Sequence, residues 1–327
     1  MKIRCISPDT IRNYLTPDRC IDLVDDAMRA VSSGNVELPL RWGMKLPNGN
    51  GVLGMMPGYL GEPECFGIKL VSLFPGNTAT GLSSHLGLMV LYEPEHGQPV
   101  AIMNADVVTA LRTAAASALA TRELARPDAS VLAILGTGEQ ARAHVPAMLA
   151  VRNIEHINIW GRRSEKAAEL ATELAQQSDV PISTFDRADQ TVANADIICT
   201  VTASREPILN GEWMPYGAHV NLVGSSVPNA REVDSDVVVR SRFFVDYRAS
   251  TMTQAGEFLK AIEDGLVGED HIAGEIGEVL LGRVDGRASP DEITVYKSLG
   301  VAAQDLAAAR YVYEQASAAG AGVVADL

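Results

Sequence analysis

Positive charge is scarce in this chain. Its 327 residues hold 27 Lys and Arg against 41 Asp and Glu, a formal net charge of −14. That balance argues against nucleic acid or an anionic membrane as partner, because phosphate groups are held by basic surfaces. A small anionic substrate stays open, provided basic residues gather in a cleft. Long apolar runs are missing as well. No stretch reaches the roughly 18 residues of a transmembrane helix, and the opening MKIRCISPDT lacks the apolar segment of a signal peptide. The four cysteines, Cys5, Cys20, Cys65 and Cys199, are scattered and form no CxxC. This argues against zinc and structural disulfides and fits a reduced, cytoplasmic setting. The remaining composition, 47% apolar, is that of a globular chain long enough for about two domains.

The chain changes texture part-way. Near the start, SPDTIRNYLTPDRCIDLVDDAMRAVSSGNV carries two helical patterns, with Ser7 or Asp9 and Thr16-Pro17-Asp18 as start signals and Ser33-Gly34 as a stop. Short strand-like pieces then follow one another without helices, from LPLRWGMKLP to SSHLGLMVLYEPEHGQPVAIMNA, which predicts an antiparallel or mixed sheet. The Ala-rich run Asp106–Glu123 reads as a helix. Beyond it, the apolar runs ASVLAILGTG, HINIWGR, DIICTVTAS, AHVNLVGS and RFFVDY are mostly separated by helical segments. That alternation predicts an α/β fold, a Rossmann-type doubly wound parallel sheet beside a smaller α+β domain. The tail SLGVAAQDLAAARYVYEQASAAGAG is a further long helix, with only a few disordered residues expected after it. The expected boundaries are 1–117 for the smaller domain, with a C-terminal helix 304–327 packing back on it, and 118–303 for the Rossmann domain.

The first strand of the second region runs into Gly136-Thr137-Gly138-Glu139-Gln140-Ala141, a G-x-G-x-x-A pattern between strand and helix. Gly136 allows the tight turn, Gly138 lets a pyrophosphate approach the backbone, and Ala141 permits close helix packing. The helix N-terminus supplies amide donors and positive potential. At the end of the second strand, where an NAD site places Asp or Glu on the ribose, the chain has Gly161 followed by Arg162 and Arg163. Guanidinium groups suit a 2′-phosphate, so NADP(H) is favoured and NAD(H) remains possible.

Three cations sit inside apolar elements of the first region: Arg41 in LPLRWGM, Lys69 in FGIKLVS and Arg112 in TALRTAAA. Embedded cations need partners, and a bound carboxylate would provide one. Of the histidines, His85 falls in the first-region sheet, His219 just before a strand, and His144 reads as a packed surface residue. Asp246 ends the strand FFVD, where caps and turns use Asp; it is assigned no catalysis.

GIKLVSLFPGN, ALRTAAASALATRELA, LAILGTGEQARAH, INIWGRRSEKA and VYKSLGVAAQDLAAA together resemble the ornithine cyclodeaminase/mu-crystallin family over nearly the whole chain. The resemblance implies a homodimer built through the first domain, with the positions of Arg41, Lys69 and Arg112 around a substrate carboxylate and reacting carbon. It places Thr113 near the cofactor diphosphate, Thr200, Val201 and Thr202 along the cofactor, and Ser298, Leu299 and Gly300 near the nicotinamide. The loop that reads G-x-D-x-P in cyclodeaminases and in an archaeal alanine dehydrogenase is here Gly224-Ser225-Ser226-Val227-Pro228. Ser226 stands at the Asp position, as in the ketimine reductase branch; it also reads as a simple cap of the turn or helix after the strand. The expected activity is NAD(P)H-dependent reduction of a small α-imino acid carrying a carboxylate, with Lys69, Arg112, Arg41 and Ser226 as the candidate catalytic set. Two alternatives stay open: a cyclodeaminase that recycles bound NAD and releases ammonia from ornithine, and a non-catalytic crystallin-like NADP(H)-binding protein.

Overall fold

The computed structural model describes residues 1–326, with backbone only for 78–80. The chain divides into two compact units, Met1–Arg112 together with everything from Gly300 onward, and Thr113–Leu299.

The first unit opens with β1 (Lys2–Ile6), α1 (Pro8–Tyr14) and α2 (Pro17–Ser33). Ser7 caps α1 through its side chain, and Gly34 ends α2 in the left-handed region. Then come β2 (Val36–Glu37), β3 (Trp42–Lys45), β4 (Val52–Gly61), β5 (Glu64–Leu73), β6 (His85–Tyr92) and β7 (Pro99–Asn104), followed by α3 (Ala105–Leu124). Glu93 holds the turn between β6 and β7 by accepting the amides of Glu95, His96 and Gln98. The boundary between the units falls within α3.

The second unit alternates strands and helices: β8 (Val131–Leu135), α4 (Glu139–Val151), β9 (His156–Trp160), α5 (Ser164–Leu174), β10 (Ile182–Phe185), α6 (Ala188–Val192), β11 (Ile197–Thr200), β12 (His219–Leu222), α7 (Ser235–Val239), β13 (Ser241–Val245), α8 (Arg248–Gln254), α9 (Gly256–Glu263), β14 (Ile272–Glu275), α10 (Ile276–Leu280) and β15 (Ile293–Lys297). Its strands lie in the order β10-β9-β8-β11-β12-β15-β13-β14, and every pair is parallel. Succession reverses direction between β8 and β11, so the carboxyl ends of those two strands flank a topological switch point, where open α/β sheets bind ligands. The strand β15 is absent from the sequence reading. Thr294, Tyr296 and Lys297 interrupt its apolar run, yet the whole strand is buried between β12 and β13.

The chain then returns to the first unit as α11 (Ala302–Ala318) and β16 (Val323–Asp326). This corrects the expected tail. The helix stops at Ala318, and the residues expected to be disordered pair antiparallel with β1 as an edge strand. The first unit's sheet is mixed, in the order β16-β1-β7-β6-β5-β4-β2 with β3 also on β4; among these pairs only β1–β7 is parallel. Helix α11 approaches β4 closely because Gly58 carries no side chain. A Cβ there would fall 2.7 Å from the Ala302 Cβ.

Candidate active site

The first unit gathers the three sequence-predicted cations. Lys69 points from β5, and Arg112 projects from the middle of α3 rather than its opening turn; both are buried. Their partner is internal. Asp305, fully buried on α11, accepts Lys69 Nζ at 2.7 Å on Oδ2 and Arg112 Nε at 2.9 Å on Oδ1. Gln304 Oε1 takes Arg112 Nη1 at 3.0 Å, and Thr109 Oγ1 lies 3.3 Å from Lys69 Nζ. Arg41, half-buried, donates Nη2 to the Gly300 carbonyl at 2.6 Å. Gly300 has φ +78°, and a Cβ on it would lie 2.3 Å from Arg112 Nη1, so both its backbone and its bareness are required here.

Burial pushes Lys69 down to about 7, opposed by the Asp305 carboxylate and aided by Arg112. Burial alone would raise Asp305, but Arg112 and Lys69 bring it below the ordinary carboxylate range. Asp106, half-buried on α3, also senses Lys69. Lys69 and Arg112, both buried, thus share the single fully buried carboxylate of Asp305.

The second unit carries the glycine turn. Gly136 has φ +137°, and a Cβ there would lie 2.7 Å from the Val201 carbonyl oxygen. Only glycine tolerates that combination. Gly138, at the N-terminus of α4, faces open space: nothing lies within 4 Å of where its Cβ would be. Ala141 is fully buried beneath the turn. Thr137 uses its carbonyl to hold Arg142 Nη1 at 3.0 Å, and Gln140 Oε1 is buried without a hydrogen-bond partner. Arg162 and Arg163 follow β9, both exposed, with no acid beside them before Glu165. Across the switch point, Thr200 and Thr202 are tied to one buried acid, Glu232. Its carboxylate accepts Thr200 Oγ1 at 2.7 Å, Thr202 N and Oγ1 at 2.6 Å, and Gly224 N at 2.7 Å. Ser298 is buried with its Oγ unpartnered, while the Leu299 amide donates to Asp246 at 2.7 Å.

A family model matches residues 7–320. The chain belongs to the ornithine cyclodeaminase/mu-crystallin family. Within it, the chain is 37% identical to the mouse (Mus musculus) ketimine reductase mu-crystallin over 281 residues, 86% of each chain. Two solved structures superpose over almost their full length. One is the Thermococcus litoralis Δ1-pyrroline-2-carboxylate reductase in complex with NADH and L-proline, with TM-score 0.95, 34% identity and 98% and 99% of the two chains covered. The other is an archaeal alanine dehydrogenase dimer with bound NAD, with TM-score 0.94, 30% identity and both chains covered throughout.

For this family member, the loop after β12 holds Ser226 half-buried, among residues with firmer anchors. Ser225 Oγ donates to the Ala230 carbonyl at 2.6 Å, and Lys297 Nζ donates to the Ser225 carbonyl at 2.6 Å. Lys297 also pairs at 3.2 Å with Glu257, and both are fully buried. Ser226 caps no helix: the next one begins at Ser235, and Asp234 caps it. Thr113 and Val201 are buried. The sequence reading of His144 as a surface residue is corrected. It is fully buried, with Nδ1 2.7 Å from the Gln140 carbonyl and Nε2 3.0 Å from Ser117 Oγ, because the α4 face that carries it packs inward.

Sequence reasoning missed Asp305, Glu232, Glu257 and Lys297. Asp305 and Lys297 had a usable signal, a lone charge inside a strongly apolar or Ala-rich run (VAAQDLAAA, ITVYK). Glu232 and Glu257 sit among other polar residues, so no local signal separates them from surface acids.

Proposed function

We propose that this chain is an NAD(P)H-dependent reductase of a small α-imino acid, acting in reverse as an amino acid dehydrogenase. The observation that carries the reading is the pair of buried cations in the first unit, Lys69 and Arg112, which share the one Asp305 carboxylate. Both lie against that one acid, so a bound substrate carboxylate would meet two cations held side by side. Of the relatives named above, two are a ketimine reductase and a Δ1-pyrroline-2-carboxylate reductase by their descriptions and the third is an alanine dehydrogenase, which supports the same class.

The second unit fits a dinucleotide. The positive-φ turn, the open space over Gly138 and the unpartnered buried oxygens of Gln140 and Ser298 are features that such a group would use. When bound, a reduced nicotinamide supplies the hydride. The protein's own tasks are the remainder. Arg41 and Arg112 clamp the carboxylate through charge-assisted hydrogen bonds. Lys69, close to half-protonated at neutral pH, binds the acid group or holds a proton. Ser226 is assigned the imine nitrogen: its hydroxyl offers a hydrogen bond without adding the negative charge that Asp would bring. Gly136, Thr137, Gly138, Gln140 and Ala141 are assigned to the cofactor, together with Thr113, Thr200, Val201, Thr202, Ser298 and Leu299. Gly300 is assigned to the cofactor with them, and it also contacts Arg41 and Arg112. Arg162 and Arg163 favour NADP(H) over NAD(H).

The reading includes a cytoplasmic homodimer formed through the first unit. Pairing register aligns Trp42, Met55, Leu70 and Leu88 across four strands, and Met44, Leu53, Ser72 and Leu86 beside them. Trp42, Met44, Leu86 and Leu88 are 44–56% exposed, an apolar face of the kind that subunit contacts cover.

Steady-state oxidation of NADPH and NADH tests the activity, with Δ1-pyrroline-2-carboxylate and with imines formed from 2-oxo acids and amines. Net oxidation, faster with NADPH, is expected. Ammonia and proline released from ornithine without net redox would replace the reading with a cyclodeaminase. Tight cofactor binding with neither activity would replace it with a binding protein.

A further inference from the structure

Asp305 stands apart from the residues that face a substrate. It is fully buried, and both its oxygens are committed to protein groups. Oδ2 takes Lys69 and Oδ1 takes Arg112 Nε. Gln304, the preceding residue of α11, takes Arg112 Nη1, and Gly300 packs against the same guanidinium. One helix terminus therefore fixes both cations from behind. Among the described residues, Arg112 Nη2 has no protein acceptor, which leaves that edge for an incoming anion.

We propose that Asp305 is the positioning residue of the substrate-carboxylate site: its carboxylate sets the direction of Lys69 Nζ and of the Arg112 guanidinium and holds the two like charges side by side. The inference rests on the reductase reading for what the cations do. Lys69 and Arg112 repel each other, and without a shared counter-charge one would turn away or lose its proton. The charged groups that bear on Lys69 are Asp305 from α11, Arg112 and Asp106 from α3, and Arg41 from the segment before β3. Cys20 of α2 senses Arg112 and Asp305, but burial holds its thiol up at about 12, so it stays neutral. Asp305 is the one fully buried acid in this set, so its removal has a defined sign. The positive charge on Lys69 becomes harder to keep, and its pKa falls.

The test compares Asp305→Asn and Asp305→Glu with the wild type by two measurements. The first needs no activity. The chain has six lysines, so a protein labelled with 13Cε-lysine has few signals, and Lys69→Met identifies that of Lys69. The Lys69 midpoint is expected to fall by a pH unit or more in Asp305→Asn and to stay near the wild-type value in Asp305→Glu. The second is the pH profile of imine reduction. Asp305→Asn should raise KM for the imino acid tenfold or more, lower kcat less, and move the alkaline limb of kcat/KM to lower pH. Asp305→Glu, with its charge kept and its geometry shifted by one methylene, should raise KM while leaving that limb in place.

An unmoved Lys69 midpoint in a folded Asp305→Asn protein overturns the proposal, as does an unchanged KM in either variant. If Asp305→Asn does not fold, Asp305→Glu decides through its KM and its midpoint. A wild type that reduces no imine defeats the functional reading alone, since the lysine titration still reports whether Asp305 governs Lys69.

Discussion

Gly136 and Gly138 are two residues apart and do different work. The first is required by the fold: φ +137° and the Val201 carbonyl both exclude a side chain. The second is required only by what approaches it. Gly136→Ala is therefore expected to destabilise the protein by about 1–3 kcal/mol or more, whereas Gly138→Asp should leave the melting temperature nearly unchanged and abolish NADPH and NADH binding. Thermal melts and fluorescence titrations check both; undiminished nucleotide affinity in Gly138→Asp would remove the dinucleotide assignment. Arg162 gives a sharper question. It is exposed, and no hydrogen bond or ion pair of its side chain is seen among the described residues. Charge-assisted bonds to a 2′-phosphate are worth about 1.5–3 kcal/mol, so Arg162→Ala should weaken NADPH roughly ten- to a hundredfold and NADH little. Equal losses for both cofactors would mean that the guanidinium stacks on the adenine instead.

At the scale of elements, the loops after β11 and β12 are held by two buried acids. Glu232 draws Thr200, Thr202 and Gly224 together; Glu257 pairs with Lys297, which in turn holds the Ser225 carbonyl next to Ser226. Breaking a buried pair by deleting one partner leaves an uncompensated charge, at a cost of about 3–5 kcal/mol. Lys297→Met should show that loss in denaturant unfolding. The double replacement Lys297→Met with Glu257→Leu should recover most of it, because the charge is gone from both sides. Recovered stability without recovered imine reduction would then report the lost anchor on Ser225. Of the three sequence runs concerned, CTVTAS and VGSSVPNAREVD show none of this on their own, and ITVYKSLG shows a lone charge but not its partner. Their partners lie 8 to 72 positions away along the chain, and local pattern carries no information about pairing at that range.

For the molecule as a whole, two buried histidines set part of the pH response. Burial, reinforced for His219 by the nearby Arg287, pushes His219 down to about 3, and burial pushes His144 down to about 4. Both folded values lie below the ordinary 6.5, so both groups stay neutral in the folded state while the unfolded chain takes up protons. Their contribution is intact above about pH 6.5 and is lost as pH falls toward 4 and then 3. Each adds a slope of about 1.4 kcal/mol per pH unit in that window. Unfolding free energy measured against pH should fall accordingly, and His219→Gln should remove about half of that histidine slope. A wild-type curve flat from pH 6.5 to 4.5 would show that neither site excludes the proton. The apolar face of the first unit makes the other prediction at this scale. Trp42→Glu with Leu88→Glu should convert a dimer to a monomer in light scattering, while the nucleotide affinity of the second unit stays within a few-fold.

The sequence by itself determined the parallel sheet, the glycine turn with its open N-terminal helix, the arginines where an acid would hold a ribose after β9, and two cations, Lys69 and Arg112, embedded in apolar elements. These are local features: period, turn chemistry and a charge out of place are each written within about ten residues. Only the tertiary structure decided what those cations meet. Lys69 and Arg112 are joined by Asp305, 236 and 193 positions further along the chain. Likewise, folding sent the C-terminus back as an edge strand on β1, placed β15 in the middle of the second sheet and buried His144. The physical reason is the same in each case. A buried charge or an unpaired strand edge must find a partner, but which residue answers is set by topology: local pattern can mark a charge as out of place, as for Asp305, without saying which residue it meets.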